Sequence, residues 1–97
     1  MAEYIMLFRF TKTGVENIKE SPARIKAAKK LFEANGAKVK TFYAVLGKYD
    51  TVCIVEAPDD ETIARLSLQI SAQGNVQAQT LRAFTEDQFV SMVGKIS

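Results

Sequence analysis

Histidine is absent from this chain of 97 residues, and cysteine occurs only once. Because histidine is the most frequent metal ligand and the usual general base near neutral pH, its absence argues against a metal centre and against histidine-based catalysis. The cysteine and the carboxylates show no metal-ligand spacing, and no phosphate-binding loop or nucleophile motif occurs. We therefore expect no metal and no cofactor, and the sequence assigns no catalytic residue.

Disulfides, long apolar runs and a dominant charge are also missing. Cys53 alone cannot form an internal disulfide, which suits a reducing compartment. No apolar run approaches the roughly 18–20 residues of a membrane span, and the first residues do not resemble a signal peptide. The net charge is +2, and the densest basic stretch, 26–30, has no aromatic residues between its lysines. We expect a cytoplasmic protein without membrane or nucleic-acid partners.

The pattern of apolar residues predicts one domain over residues 1–97. Strands are expected at 4–10, 39–46, 51–57 and 76–84, with helices following Ser21 and Asp59. Right-handed connections turn this β-α-β-β-α-β order into a four-stranded antiparallel sheet with both main helices on one face, an α+β fold. A loop with about one helical turn is expected at 11–20.

Local signals set the element boundaries. Ser21 is predicted as an N-cap with Pro22 at the first helical position, and Gly36 ends that helix in a left-handed conformation. The 46–50 segment is a turn that makes the second and third strands a hairpin. Thr85 caps a short additional C-terminal helix that carries Phe89, Met92, Val93 and Ile96. Cys53, Met6 and Met92 are interpreted as core residues.

The first and third strands are apolar on both faces. In the first strand, Tyr4, Met6 and Phe8 alternate with Ile5 and Leu7. Helices on one side would leave the other side bare over several hundred Å², a size that usually marks an interaction site. We therefore predict a homodimer, or a higher homo-oligomer, in which two sheets face each other.

A group of polar residues within or beside the strands forms the candidate ligand-binding site: Tyr43, Tyr49, Asp50, Glu56, Arg82 and Arg24, with Arg9 and Lys12 close enough to join them. Because buried charges need partners, one interpretation is a structural pair of Glu56 and Arg82 across the sheet. The other places arginine and tyrosine around a carboxylate ligand. Asp50 either fixes the turn by accepting N–H bonds or lies at a pocket mouth.

Three stretches, 42–50 with its Gly47-Lys48-Tyr49-Asp50 turn, 56–60 and 80–84, resemble the GYD domain family. The resemblance implies a ferredoxin-like topology and a dimeric α+β barrel, and it supplies no reaction. The same turn is similar to that of the effector-binding domains of leucine-responsive transcription regulators, which bind amino acids at subunit interfaces. By that analogy the chain, with no DNA-binding segment ahead of it, would be a stand-alone effector domain.

Three functions are compatible with the sequence. The first is a homo-oligomeric module that binds a small anionic or amino-acid-like metabolite. The second is a cofactor-independent oxygenase or isomerase in which Tyr43, Asp50 or Glu56 acts as acid or base, and the third is a structural assembly unit. An enclosed pocket with strongly shifted pKa values at Glu56 or Asp50 would indicate the enzyme, and a solid barrel would indicate assembly.

Overall fold

The sheet and its helices follow the predicted order in the computed structural model, which describes all residues, 1–97. The strands are β1 (Ala2–Phe10), β2 (Lys38–Ala44), β3 (Thr51–Ala57) and β4 (Val76–Ala83). The helices are α1 (Lys12–Glu16), α2 (Ser21–Ala34), α3 (Asp60–Ala72) and α4 (Glu86–Gly94), with a short 3-10 turn at Ile18–Glu20. None of the helices combines the length and apolar character needed to cross a bilayer.

The four strands form one antiparallel sheet in the order β2-β3-β1-β4. The central strand β1 pairs with β3, where Met6 lies opposite Cys53, and with β4, where Met6 lies opposite Thr80. A register shift between Val39 and Thr41 marks a bulge in the edge strand β2. The predicted four-stranded antiparallel sheet is confirmed.

The hydrophobic core lies between one face of this sheet and helices α2 and α3. The alternate residues Tyr4, Met6 and Phe8 of β1 are buried there, at most 8% exposed. The helices contribute their apolar stripes, and the other buried side chains are Phe32, Ala37, Cys53, Val55, Ala57, Ile63, Leu66 and Ile70. Cys53 and Met6 are core residues, as the sequence predicts.

The start of α2 differs from the prediction. Ser21 has helical backbone angles, φ −55° and ψ −43°, so it is not an N-cap. The preceding 3-10 turn runs directly into α2 and places Glu20 at the cap position, without a side-chain hydrogen bond. The Ser21 hydroxyl instead accepts a hydrogen bond from Arg24 at 3.2 Å. Gly36, with φ 76°, ends the helix as predicted.

The opposite face of the sheet has no helix against it. Its side chains include Ile5 and Leu7 of β1 and Ile54 of β3, all only half-buried, and Leu81 of β4 at 41% exposed. This "open face" is therefore apolar at its centre, as the two-sided pattern of β1 and β3 predicts.

Helix α4 lies apart from the layered domain. Thr85 caps it with a capping box, its hydroxyl accepting from Gln88 N–H at 3.1 Å. None of the residues of α4 is buried. The prediction that Met92 is a core residue is wrong for the single chain: it is 39% exposed, because nothing in the chain packs on this helix.

Candidate functional site

A cleft of about 110 Å³ opens between helices α2 and α3 and the covered face of the sheet. Its walls are apolar because every element around it turns its core-facing residues inward: Phe8 and Phe42 from the sheet, Ile25 and Phe32 from α2, and Ile70 from α3. Ten of its 16 lining residues are hydrophobic, so the cleft favours an apolar group over water.

The charged residues that line this cleft are both cationic, Arg24 and Lys29. Arg24 is held in place, because its guanidinium donates to the Asn17 carbonyl at 3.0 Å and lies 3.4 Å from a Glu20 carboxylate oxygen. Lys29 has no carboxylate within 4.0 Å. The cleft can therefore offer a free positive charge to an anionic group.

Cys53 also lines the cleft and is 4% exposed. Burial raises the pKa of its thiol to about 11, and the nearby charge of Lys29 opposes this only in part. The sulfur therefore stays protonated near neutral pH. Because the thiolate is the nucleophilic form, Cys53 contributes an apolar surface to the cleft and no nucleophile.

Asp50, a predicted site residue, fastens the β2–β3 turn to the end of β1. Its carboxylate accepts from the Phe10 N–H at 2.8 Å, and its own N–H donates to the Phe8 carbonyl at 2.8 Å. This is the turn-fixing arrangement expected from the sequence. Gly47, with φ 111°, supplies the left-handed conformation within the same turn. Asp50 does not line the cleft.

Tyr49 and Tyr43, also predicted, lie on the open face. The Tyr49 hydroxyl donates to the Gln79 side-chain oxygen across the sheet. The Arg9 guanidinium and the Lys48 ammonium lie 5.7 and 5.8 Å from the centre of its ring. Tyr43 is 60% exposed. These groups form a cationic and aromatic cluster separate from the cleft.

The predicted pair of Glu56 and Arg82 does not form. In the sheet, Glu56 lies opposite Glu3, and Glu3 lies opposite Ala83. Arg82 is the neighbour of Ala83 on the same strand, so its side chain points to the opposite face of the sheet from Glu56. Glu56 instead pairs with Lys40 at 3.3 Å. Hydrogen bonds to Glu3 and then to Glu56 raise the pKa of Lys40.

A buried tyrosine near Arg82 is a feature that the sequence analysis missed. The Tyr4 hydroxyl donates to an Asp60 carboxylate oxygen at 2.5 Å, and Tyr4 is 2% exposed. Burial, and then the Asp60 carboxylate, raise the pKa of Tyr4 to about 12. The Arg82 guanidinium lies 4.0 Å from the same carboxylate and 5.5 Å from the Tyr4 ring. Tyr4 and Asp60 are 56 positions apart, and no local sequence pattern links them.

Apart from Asp50, the structure distributes the predicted residues over three places. Arg24 lies at the cleft, and Arg82 lies at the Tyr4–Asp60 contact on the same side of the sheet. Tyr43, Tyr49 and Glu56 lie on the open face. The cleft itself was missed because its apolar lining residues look like ordinary core residues in the sequence.

A four-stranded antiparallel sheet, covered by two helices on one side and open on the other, with a cleft beneath the helices, defines a small ferredoxin-like α+β domain. Within that class, the family profile described as "GYD domain" matches residues 4–93. The chain belongs to the GYD domain family.

Similar proteins are known from Thermus thermophilus. A protein of Thermus thermophilus named "Glutamine synthetase and cystathionine beta-lyase binding protein" is 40% identical over 84 residues, 86% of this chain and 88% of that protein. The crystal structure of TTHA0845, also from Thermus thermophilus, is 25% identical, with a TM-score of 0.56 over 88% of this chain and 95% of that one.

Two further solved structures share the fold. MtbAldR is 15% identical with a TM-score of 0.67, and the leucine response regulatory protein LrpA of Mycobacterium tuberculosis is 18% identical with a TM-score of 0.61. They cover 88% and 89% of this chain, which spans only about half of theirs, 52% and 54%. The similarity to leucine-responsive regulators expected from the turn is confirmed at the level of the fold.

Proposed function

We propose that this protein is a homo-oligomeric binding module whose helix-side cleft holds a small molecule with a short apolar group and one negative charge. The observation that carries the proposal is the lining of the cleft, which is apolar apart from a few polar groups and has only cations, Arg24 and Lys29, among its charged members. Apolar walls provide affinity, and a few placed polar groups provide orientation and specificity.

The size of the cleft limits the ligand. At about 110 Å³ it is somewhat smaller than the roughly 150 Å³ cavity that accommodates benzene in another protein. The apolar group that it takes is therefore a branched aliphatic or a single aromatic group. Together with a carboxylate facing Lys29, this describes branched and aromatic carboxylates, including amino acids whose ammonium group stays in solvent, since no acidic residue lines the cleft.

Binding is favoured over catalysis by what the cleft lacks. No aspartate, glutamate or tyrosine lines it, so Tyr43, Asp50 and Glu56, the candidates for acid and base, lie outside it. The remaining group with reactive potential, Cys53, is held in the protonated form by burial. A cleft of this kind recognises a ligand and offers no group to transform it.

The homo-oligomeric part of the proposal is supported by the open face. Half-buried Ile5, Leu7 and Ile54 present apolar surface that no element of the chain covers. Two such faces packed together would exclude water from both at once, which a two-fold dimer achieves with one kind of contact.

Thermal-shift titration with isovalerate, phenylacetate, leucine and phenylalanine tests the cleft. A ligand present at 100 times its Kd should stabilise the fold by about 2.7 kcal/mol. Ala28→Leu, which fills the cleft, should abolish the shift, while Ala27→Leu on the exposed side of the same helix should retain it. Shifts that are equal in both variants would place the ligand elsewhere.

The charge of the cleft is tested in the same titration. Lys29→Ala should weaken binding of the carboxylates by about tenfold, equivalent to about 1.4 kcal/mol. Lys30→Ala removes an equal charge from a residue that does not line the cleft, and it should leave the affinity unchanged. Equal losses in the two variants would indicate a general charge effect. No stabilisation by any of the four compounds would contradict the ligand class.

A second candidate function is binding of other proteins, favoured by the name of the 40% identical Thermus thermophilus relative. On this chain the exposed lysines of α2, Lys26, Lys29 and Lys30, have no carboxylate within 4.0 Å and form a surface suited to an acidic partner. Calorimetry with purified glutamine synthetase and cystathionine β-lyase from the same source would test it. Lys26→Glu/Lys30→Glu should abolish such binding, and binding that is insensitive to salt would contradict this surface.

A further inference from the structure

Helix α4 carries an apolar stripe with nothing against it. Phe89, Met92 and Val93 follow the i, i+3, i+4 spacing of one helix face and are 59, 39 and 49% exposed. Ile96, which is 75% exposed, lies two residues beyond the end of α4. Ser91 lies on the opposite, polar face. A short isolated helix gains little stability from its backbone alone, so such a stripe normally has a packing partner.

The single chain has a larger accessible surface than a typical folded monomer of its mass. Its accessible surface is 6566 Å², whereas a folded monomer of this mass exposes about 5,500 Å². The radius of gyration is 14.7 Å against about 12.5 Å for a compact chain of this length. The excess, on the order of 1,000 Å², matches the roughly 800 Å² that each partner of a stable dimer buries.

The tip of the β2–β3 hairpin is the second exposed apolar surface. Tyr43 is 60% exposed, Val45 38% and Leu46 101%. This tip lies at the end of the sheet where Phe8 pairs with Thr51, whereas α4 leaves the opposite end, where Ala83 pairs with Glu3. The strand between these ends measures about 20 Å, so α4 begins far from the hairpin tip of its own chain.

The charges at these two surfaces are complementary. Glu86 and Asp87 lie in the first turn of α4, and neither has a cation within 4.0 Å. Arg9 and Lys48 lie beside the hairpin tip, around the Tyr49 ring, and neither has a carboxylate within that distance. Complementary patches of this kind fix orientation and register between partners.

We propose that α4 is an exchanged arm: in a two-fold dimer it lays its apolar stripe on the β2–β3 hairpin tip of a second copy. The hairpin tip and the start of α4 lie at diagonally opposite corners of the sheet. When two open faces meet about a two-fold axis diagonal to the strands, the α4 corner of each sheet lies over the hairpin corner of the other. The contact then forms twice, with Glu86 and Asp87 facing Arg9 and Lys48 of the other copy. This arm rests on the homo-oligomer of the proposed function and is independent of the ligand in the cleft.

Sedimentation equilibrium on single substitutions in α4 tests the apolar stripe. Phe89→Glu should weaken dimerisation by about a hundredfold or more, because it places a charge in an apolar contact. Ser91→Glu changes the net charge equally on the polar face of the same helix and should leave the dimer within about twofold of the original. Both side chains are exposed in the single chain, so neither substitution threatens the fold.

Disulfide trapping tests where the arm docks. In a Cys53→Ala background, Glu86→Cys combined with Lys48→Cys should form a covalent dimer on mild oxidation. Within one chain these positions are too far apart for the roughly 7 Å limit on the Cα separation of a disulfide. Glu86→Cys combined with Lys26→Cys, on the outer side of α2, is the matched control and should remain uncrosslinked.

The outcomes separate the arm from the sheet-to-sheet dimer. If Ile54→Lys on the open face gives a monomer but Phe89→Glu remains a dimer, the sheet contact stands and the arm is refuted. A dimer in which the 48–86 pair fails to crosslink, or crosslinks no better than the 26–86 pair, also refutes it. A wild-type protein that is monomeric at micromolar concentration overturns the arm and the homo-oligomer together, whereas ligand binding in the cleft would still be measurable.

Discussion

Strand β1 presents two apolar faces that differ in how they are covered. Tyr4, Met6 and Phe8 lie under α2 and α3 and are at most 8% exposed. Ile5 and Leu7, on the same strand and of similar hydrophobicity, remain half-buried with only neighbouring strands beside them. One face is covered by helices of the same chain. The other face is apolar like a core but has no helix against it. The difference supports the proposal that a second copy covers the open face.

Substitutions on the covered face should lower the free energy of unfolding more than those on the open face, and Leu66→Ala should have the largest effect. Leu66 of α3 is 0% exposed, so removing its side chain loses transfer free energy and leaves a cavity. We expect the free energy of unfolding to fall by about 2–5 kcal/mol. Urea unfolding at several protein concentrations measures it, and Leu68→Ala, at a residue 70% exposed on the same helix, is the control. If Leu66→Ala and Leu68→Ala lowered the free energy of unfolding equally, the covered and exposed sides would not differ in their contribution to stability.

The open face should respond in a way that depends on protein concentration. Ile54→Ala removes apolar area that the single chain buries only in part and that a second copy would bury further, so it should cost about 1–3 kcal/mol in the associated protein. At concentrations where the wild type dissociates, the cost should be smaller, because only the area buried within the single chain is then lost. A loss that is the same at all concentrations would mean that Ile54 already behaves as a core residue in the single chain.

Most of the fold was accessible from the sequence because its signals are local. Alternation in β1 and β3, helical spacing in α2 and α3, and the caps at Asp59 and Thr85 each require only a few neighbouring residues. The N-cap of α2 was misplaced because the 3-10 turn before it supplies a competing helical conformation. The prediction that Met92 is a core residue was wrong because helical spacing identifies the apolar face of α4 but does not show whether the rest of the chain packs against it.

The candidate site was less accessible because it depends on pairing between distant strands. Glu56 and Arg82 look like partners in sequence, but the register through Glu3 puts them on opposite faces. A shift of one residue is enough to do this, because side chains alternate along a strand. The cleft is made of residues such as Phe8 and Phe42, which periodicity identifies as core. Whether core residues close completely or leave a cavity is set by packing, which no local pattern records.

The turn that gives the family its signature should have a moderate effect on stability. Asp50→Ala leaves the Phe10 N–H without its acceptor at 2.8 Å, so we expect a loss of about 1 kcal/mol. Asp50→Asn retains an acceptor oxygen and should recover most of that loss. Chemical unfolding of the two variants measures the difference, and ligand affinity in the cleft should be unaffected by either. Loss of binding with unchanged stability would instead assign Asp50 to a pocket.

The smallest effect should appear only in alkali, at Tyr4 on the covered face. Burial and the Asp60 carboxylate raise its pKa from 10.0 to about 12, so the folded state holds the phenol proton more tightly than the unfolded state does. The stabilisation from this group is complete below pH 10 and is lost as the pH rises towards 12. Absorbance titration should show one late phenol that Tyr4→Phe removes and that Tyr43→Phe, at a 60% exposed side chain, leaves in place. If all tyrosines of the folded protein ionise together, solvent reaches Tyr4 despite its burial. The covered face would then differ less from the open face than the structure indicates.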